Sequence, residues 1–184
     1  DIELLGWGGR PYADGNDATD SINGNCRVIP VEVFETRFPM QCESYIMVED
    51  SGGAGKFRGG LSTQRTLKSL DTAITGSQMS DRHRNRAWGL HGGLSGGLAG
   101  TWHMAANTVE WRTIDDAFGK VSPSKWSNVT IAPGDRIRFQ TPGGGGWGAP
   151  GERPQQRVRE DLAEGYISAR QAHEVYGLDG AGDD

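Results

Sequence analysis

Arg58 stands in a glycine-rich segment, DSGGAGKFRGG, whose residue types suit the binding of an anion. The guanidinium is followed by Gly59 and Gly60, which let a ligand approach the backbone closely. In that place an arginine can clamp a carboxylate or phosphate with two parallel hydrogen bonds. It can equally pair across a turn with Asp50 or Glu49. Both interpretations are open, and the structural pairing is the one we favour.

A second basic segment, SDRHRNR, concentrates three arginines within five residues. On a strand, Arg82, Arg84 and Arg86 would point to one side and form a basic strip. Such a strip could face a nucleotide or an acidic substrate, although a run of charge is more often a solvated face or a network of ion pairs at an interface. Asp81, beside the strip, is placed to orient an arginine.

The segment TPGGGGWG contains four consecutive glycines. Because glycine adopts positive φ angles, their N–H groups could form an anion-binding nest. The segment is no P-loop, because no Lys-Ser or Lys-Thr follows the glycines. Glycine also permits close approach of two backbones, so a close-packed turn at a subunit or domain boundary is the favoured alternative. The four candidates are Gly143, Gly144, Gly145 and Gly146.

Neither a metal site nor a catalytic nucleophile is indicated by this chain alone. The four histidines lack the HxH, HxxxH and HExxH spacings, and the two cysteines lack CxxC spacing and a histidine nearby in the sequence. No GxSxG motif is present. We therefore assign no catalytic residue and no metal ligand from sequence.

Composition limits the classes of partner. With 24 acidic and 19 basic residues the net charge is −5, which gives no general support for nucleic-acid binding. No apolar run approaches the roughly 20 residues that span a bilayer, and two cysteines fit a reduced cytoplasmic setting. The hydrophobic fraction is 35%, with 29 glycines. Such a chain buries little apolar surface, so we expect it to need a partner and to be inactive alone.

The pattern predicts a mainly β fold with irregular glycine-rich loops and a small C-terminal α-helical hairpin. Segment 30–38 suits either a short helix or a strand. Helices are expected at 154–164 and after Ser168, with Gly177 ending the second one. Alternating residues predict strands at 41–50, 61–70, 72–80, 100–105, 108–113, 126–131 and 136–141.

Three regions follow from this distribution. Residues 1–29 form an extended N-terminal arm, residues 30–150 a β-rich domain, and residues 151–184 the C-terminal helices and an acidic tail. The arm has no core of its own and must lie on another surface.

Five stretches, in order, resemble the C-terminal region of the hydantoinase B/oxoprolinase family. Two departures occur: that family usually has Asn-Thr-Pro where this chain has Val28-Ile29-Pro30, and prolines before the Trp-Gly that here follows Ala87. The resemblance is carried by PVEVFETRFP (30–39), DSGGAGKFRGGLSTQR (50–65), SDRHRNRAWGLHGG (80–93), PGD with TPGGGGWGAP (133–150) and EDLAEGYISARQAHEVYGL (160–178).

The resemblance implies a multi-subunit ATP-dependent enzyme that opens a cyclic amide and acts on a small molecule. The chain would be a small subunit or a processed C-terminal portion of the B-type subunit. ATP and Mg would bind the A-type partner subunit, and a divalent metal could bind the absent N-terminal half of the B-type subunit. Two alternatives stay open: a subunit of an acetone- or acetophenone-type ketone carboxylase, and a non-catalytic assembly module.

Overall fold

The computed structural model describes residues 3–20, 24 and 26–179, and the expected acidic tail beyond residue 179 lies outside them. The mainly β prediction is confirmed, as is the small pair of C-terminal helices. The elements are α1 (Val31–Arg37), β1 (Met40–Met47), β2 (Thr63–Ser69), β3 (Ile74–Met79), β4 (Gly100–Met104), β5 (Arg112–Thr113), α2 (Ile114–Phe118), β6 (Lys125–Ile131), β7 (Arg136–Gln140), a single 3-10 turn (Pro150–Glu152), α3 (Gln155–Ala163) and α4 (Ala169–Glu174).

Two antiparallel sheets form the β structure. The larger sheet has the strand order β1-β2-β7-β4-β5, and β3 pairs with β6 in the smaller one. Apolar side chains from both sheets and from the two short helices α1 and α2 meet in one buried cluster. This cluster consists of Phe34, Met40, Leu67, Ile114, Trp126, Val129, Ile131 and Ile137.

The ambiguous segment 30–38 is a helix. Pro30 precedes α1, where its fixed φ suits a helix start, and its carbonyl accepts the Phe34 N–H at 2.9 Å. Phe34 is the buried residue of this helix. Phe38 is extended because Pro39 follows it, and the helix ends there.

Two strand predictions need correction. The strand expected at 108–113 is reduced to Arg112–Thr113 and continues as helix α2, which ends at Gly119 with a left-handed φ of 61°. The basic segment is not a strand either. Residues 80–89 are irregular, and Arg82 itself has a φ of +61°, so the three arginines do not form the strip that a strand would give.

A glycine-rich central segment, residues 142–148, hydrogen-bonds to neighbouring segments on several sides. Gly143 donates its N–H to the Gly97 carbonyl at 3.2 Å. Gly146, three residues later, donates to the Leu94 carbonyl at 2.9 Å. Residues three apart therefore face the same neighbouring segment, 94–97.

The same spacing of three recurs on another side of the central segment. Gly144 donates to the Gly60 carbonyl and Trp147 donates to the Phe57 carbonyl, both at 2.9 Å. A backbone with three residues per turn has the period of a polyproline II helix, which has no internal hydrogen bonds and so offers every N–H and C=O to neighbours. The central segment is thus the hub of a bundle of extended backbones.

Side chains have no room at this hub. A Cβ added to Gly144 would overlap the carbonyl oxygen of Trp7, and one added to Gly145 would overlap that of Trp88. The glycines are therefore required by the distance between backbones.

The N-terminal segment contacts this bundle directly. Gly6 and Gly9 donate their N–H groups to Pro142 and Gly145, at 3.1 and 2.8 Å. The surface on which the predicted arm lies thus includes the glycine bundle of the same chain. The division into three regions stays a prediction.

The C-terminal helices pack on the other end of the bundle. Ser168 caps α4, its hydroxyl accepting the Gln171 N–H at 3.1 Å, and Gly177 is left-handed with a φ of 66°, as predicted. The apolar cluster beneath them is made by Ala54, Val158, Ile167, Ala172, Tyr176 and Leu178. Within the described residues, no helix has the length and apolarity to cross a membrane.

We predict that Gly144→Ala lowers the free energy of unfolding by about 3 kcal/mol or more, because the added methyl group must push two bonded backbones apart. Gly151→Ala is the matched control: its Cβ would meet nothing within 4 Å, and it should raise stability by about 0.5 kcal/mol. Urea denaturation of the three proteins measures both changes. Equal stabilities of the two variants would contradict close packing at the hub.

Candidate functional site

Three of the sequence-predicted residues come together at one groove beside the glycine bundle. The groove has a volume of about 380 Å³, and Arg82, Gly144 and Gly145 line it. Two tryptophans, two further glycines, a leucine and an alanine complete the lining. We call this the Arg82 groove; the residues on which its chemistry depends are Trp7, Gly8, Arg82, Trp88, Gly144 and Gly145.

Backbone hydrogen bonds hold the segment that carries Arg82. The Arg82 carbonyl accepts the Ala99 N–H at 3.0 Å, and the Ala87 carbonyl accepts the Gly96 N–H at 2.9 Å. The Arg82 guanidinium donates to the Arg86 carbonyl at 3.2 Å, and Arg86 reaches the Gly96 carbonyl at 3.0 Å. The left-handed φ of Arg82, uncommon for a residue with a side chain, is thus held from both ends.

The four consecutive glycines do not present a nest of N–H groups. Gly143, Gly144 and Gly146 donate to backbone carbonyls within the bundle. In the part of the chain that the structure describes, the N–H groups of Gly145 and Gly8 have no protein acceptor. Gly145 and Gly8 both line the Arg82 groove, so the groove has backbone N–H donors that are not used within the protein.

Arg58 is a buried structural residue, with a relative exposure of 3%. It does not pair with Asp50 or Glu49. Its guanidinium donates to Asp17 at 3.0 Å, lies 3.6 Å from Asp161 and covers the ring of Tyr166. Gly59 and Gly60 belong to the glycine bundle beside it.

Asp50 has a different role from the pairing that the sequence suggested. Its carboxylate accepts the N–H of Ser168 at 2.8 Å and the hydroxyl of the same residue at 2.7 Å. It therefore holds the N-terminus of α4 against the glycine-rich segment.

A second buried arginine, missed from sequence, extends the Arg58 network. Arg153 donates two hydrogen bonds of 2.8 and 2.9 Å to Asp14 and lies 2.7 Å from Asp161. The Arg153 side chain is 1% exposed. The network joins the N-terminal segment, the glycine bundle and α3, and no local sequence pattern marks a pair 139 residues apart.

The carboxylates of this network have opposite pKa shifts. Burial acts to raise the pKa of Asp14, but the hydrogen bonds and charge of Arg153 outweigh it and leave that pKa below its usual value. For Asp161 burial prevails over the charges of Arg153 and Arg58, and its pKa is raised. Burial also raises the pKa of the nearby Tyr176 to about 12. None of these three groups lines the Arg82 groove, and their contacts are with buried arginines, so their role is in stability.

A histidine contacts the aspartate of the Pro-Gly-Asp turn at residues 133–135. His103 Nε2 lies 2.8 Å from the carboxylate of Asp135, which also accepts the N–H groups of Ala106 and Ala132. With every carboxylate oxygen used, this pair is structural. Across residues 3–20, 24 and 26–179, no three His, Cys, Asp or Glu side chains cluster closely enough to hold a metal ion.

The Arg82 groove can bind a small polar ligand but offers no nucleophile. Its cation and two unused N–H groups suit a carbonyl, carboxylate or other oxyanion, and Trp7 and Trp88 supply aromatic faces. Trp88 is 73% exposed on this rim. Asp81 is exposed and, within the described residues, forms no ion pair with an arginine.

Comparison with known proteins places these features in one family. A family model described as hydantoinase B/oxoprolinase matches residues 2–150. The chain is 31% identical over 158 residues to the caprolactamase subunit beta of Pseudomonas jessenii, covering 83% of this chain and 26% of that one. It is 30% identical over 168 residues to the 5-oxoprolinase PfmaA of Pestalotiopsis fici, covering 91% of this chain and 12% of that one.

Solved structures share the fold. A nucleotide-free acetone carboxylase superposes with a TM-score of 0.75 over 95% of this chain and 26% of its own, at 23% identity. The chain spans 24% to 28% of the length of several curated relatives.

We predict that Asp14→Asn lowers the free energy of unfolding by about 3 kcal/mol at neutral pH, because it leaves the buried Arg153 charge without its two-bond partner. Since the folded pKa of Asp14 lies below its unfolded value of about 3.9, the contribution is present above that pH and is lost as pH falls through the folded pKa. The wild-type protein should therefore lose more stability between pH 5 and 2, in rough terms, than the variant.

Thermal melts across this range measure the difference. Asp116→Asn is the control, since Asp116 pairs with Arg112 on an open surface and its loss should leave the melting temperature unchanged. Identical acid profiles for wild type and Asp14→Asn would contradict the role of Asp14.

Proposed function

This chain belongs to the hydantoinase B/oxoprolinase family, and we propose that it is the C-terminal portion of the B-type subunit of an ATP-dependent enzyme that opens a cyclic amide. The observation that carries the proposal is identity of at least 30% over 83% to 91% of this chain to proteins named caprolactamase subunit beta and 5-oxoprolinase. Caprolactam and 5-oxoproline are both cyclic amides, so ring opening means cleavage of a C–N amide bond.

The part that this chain takes follows from its groove. Ring opening develops negative charge on the amide oxygen, which cations and fixed N–H donors stabilise. Arg82 and the unused N–H groups of Gly8 and Gly145 are such donors. The chain has no nucleophile at the groove, so activation of the amide falls to the ATP-binding A-type subunit and to the rest of the B-type polypeptide.

ATP and Mg are proposed to bind the partner and not the glycine segment of this chain. Three of its four consecutive glycines already give their N–H groups to carbonyls, which removes the donors that a phosphate would need. A divalent metal, where the reaction uses one, would lie on the remainder of the B-type subunit.

A ketone carboxylase is the second candidate, because the acetone carboxylase structure has the same fold over 95% of this chain. An enolate oxygen would meet the same donors as an amide oxygen. The identity of 23% supports the fold alone, which is why the cyclic amide is preferred. A purely assembling role is the third, since the exposed Trp88 suits an interface.

The complex purified from its source through a tag on this chain distinguishes these reactions. We expect ATP-dependent ring opening of 5-oxoproline, a hydantoin or caprolactam, measured as ring-opened product together with ATP hydrolysis. ATP hydrolysis that instead requires bicarbonate and a ketone would replace the proposal with the carboxylase.

We predict that Arg82→Ala in this complex lowers kcat/KM by about tenfold or more, as expected when a hydrogen bond from a charged group is lost. Arg170→Ala is the control, since Arg170 is exposed on α4 and its one ion-pair partner among the described residues is Glu174. Subunits should co-purify in both variants. Full activity in Arg82→Ala would exclude the groove from the reaction, and dissociated subunits would favour the assembling role.

A further inference from the structure

A second cavity lies on the other side of the segment that carries Arg82. Its volume is about 440 Å³, and it opens between residues 81–85 and residues 121–124. Its lining is mixed and includes two arginines, a histidine, two serines and one acidic residue. The groups that matter are Arg82, His83, Arg84, Ser122 and Ser124, and we call it the His83 cavity.

Hydrogen bonds join the two segments that form the walls. Ser80 donates its N–H to the Ser124 carbonyl at 2.8 Å. The hydroxyls of Ser122 and Ser124 lie 3.0 Å apart, and the Ser122 hydroxyl also accepts the Ser124 N–H at 3.2 Å. The cavity is therefore a built feature in which both walls begin or end at strands of the small sheet.

A chain of side-chain hydrogen bonds leads to His83. Thr101 donates to the Gln78 amide oxygen, and the Gln78 amide nitrogen donates to the Ser80 hydroxyl, each at 2.8 Å. The Ser80 hydroxyl lies 2.7 Å from His83 Nε2 and 3.4 Å from the Ser124 carbonyl, so the ring nitrogen is its nearer partner. In the tautomer in which Nε2 accepts the Ser80 hydrogen, the neutral ring carries its own hydrogen on Nδ1.

The charges around His83 favour an added anion. Burial lowers the pKa of His83, while Asp115 and Asp81 act weakly in the opposite direction. A lowered pKa favours the neutral ring, which donates through Nδ1 in the tautomer described above. Arg82 and Arg84 both line the cavity, and within the described part of the chain neither has an ion-pair partner. The lining therefore has two positive charges, from Arg82 and Arg84, and one negative charge, from Asp81.

We propose that the His83 cavity binds a small oxyanion, a carboxylate or a phosphate, between the guanidinium of Arg84, the Nδ1–H of His83 and the hydroxyls of Ser122 and Ser124. A planar guanidinium, a ring N–H and hydroxyls are all donors, which an oxyanion can satisfy together. Binding here is independent of the reaction catalysed, since it needs neither ATP nor the other subunits.

NMR of the full chain tests the proposal with two probes, inorganic phosphate and acetate. The ring signals of His83 should shift saturably with at least one probe at millimolar concentration, and the probe that binds more tightly identifies the class of oxyanion. Arg84→Ala should weaken binding about tenfold or more, because one charged hydrogen-bond donor is lost.

Arg159→Ala is the matched control, because it removes the same charge from the exposed surface of α3 and should leave binding unchanged. Arg84 is exposed and forms no ion pair with any residue that the structure describes, so its variant should keep the wild-type melting temperature. Absence of a saturable shift with both probes, or equal weakening in Arg84→Ala and Arg159→Ala, would overturn the proposal.

The pH dependence gives a second readout. A bound oxyanion favours the imidazolium and raises the pKa of His83, so this ring strengthens binding as pH falls from 8 to 6, roughly the range in which histidine titrates. The other charged groups around His83 are Asp81, Asp115, Arg82 and Arg84. His83→Gln should bind more weakly and should retain only the pH dependence of the probe itself, whereas the same pH profile in wild type and His83→Gln would also overturn the proposal.

Discussion

Direct hydrogen bonding between glycine backbones is the constraint on which this fold depends. At Gly143–Gly146 neighbouring backbone segments lie so close that no Cβ fits. Because the backbone repeats every three residues, its hydrogen bonds are distributed over several neighbouring segments. A protein with a 35% hydrophobic fraction can therefore still enclose an ordered interior, because paired backbone groups fill it. Apart from Ala54, the residues of the two apolar clusters lie outside these glycine-rich segments.

Local patterns predicted those parts of the fold that depend on near neighbours. Alternation located most of the strands, and the Ser168 cap and Gly177 located the last helix, because both signals act within a few residues. The strand prediction for segment 108–113 was wrong over most of its length, because helix α2 begins at Ile114. The alternation of residue types does not reveal that Ile114 is buried in the main apolar cluster. The glycine string packs closely, which was one part of the favoured interpretation, but it does so as extended backbone, and its place at a subunit or domain boundary stays a prediction. Its hydrogen-bond partners in segments 6–9, 53–60 and 90–97 were not predictable, because each lies tens of residues away.

Arginines that look alike in the sequence have two different roles in the structure. Arg58 and Arg153 are buried against aspartates from the N-terminal segment and α3, where they hold the ends of the bundle together. Arg82 and Arg84 stand on an irregular segment with no carboxylate to neutralise them among the described residues. No local sequence pattern separates the two groups, so only the distant aspartates distinguish a structural arginine from one available to a ligand. The groove and the cavity beside Arg82 are therefore properties of the tertiary fold.

The position of the central segment along the polypeptide has a consequence for biosynthesis. The backbone segments that surround residues 142–148 precede them in the chain, so on the ribosome they emerge before the central segment to which they bind. Until the central segment emerges, several glycine-rich segments have unsatisfied backbone amides and few apolar side chains that could drive collapse. Non-local topology of this kind slows folding and prolongs exposure to aggregation. Nascent chains of this protein should consequently depend on chaperones until residues 142–148 have emerged, and truncation before residue 148 should give insoluble material.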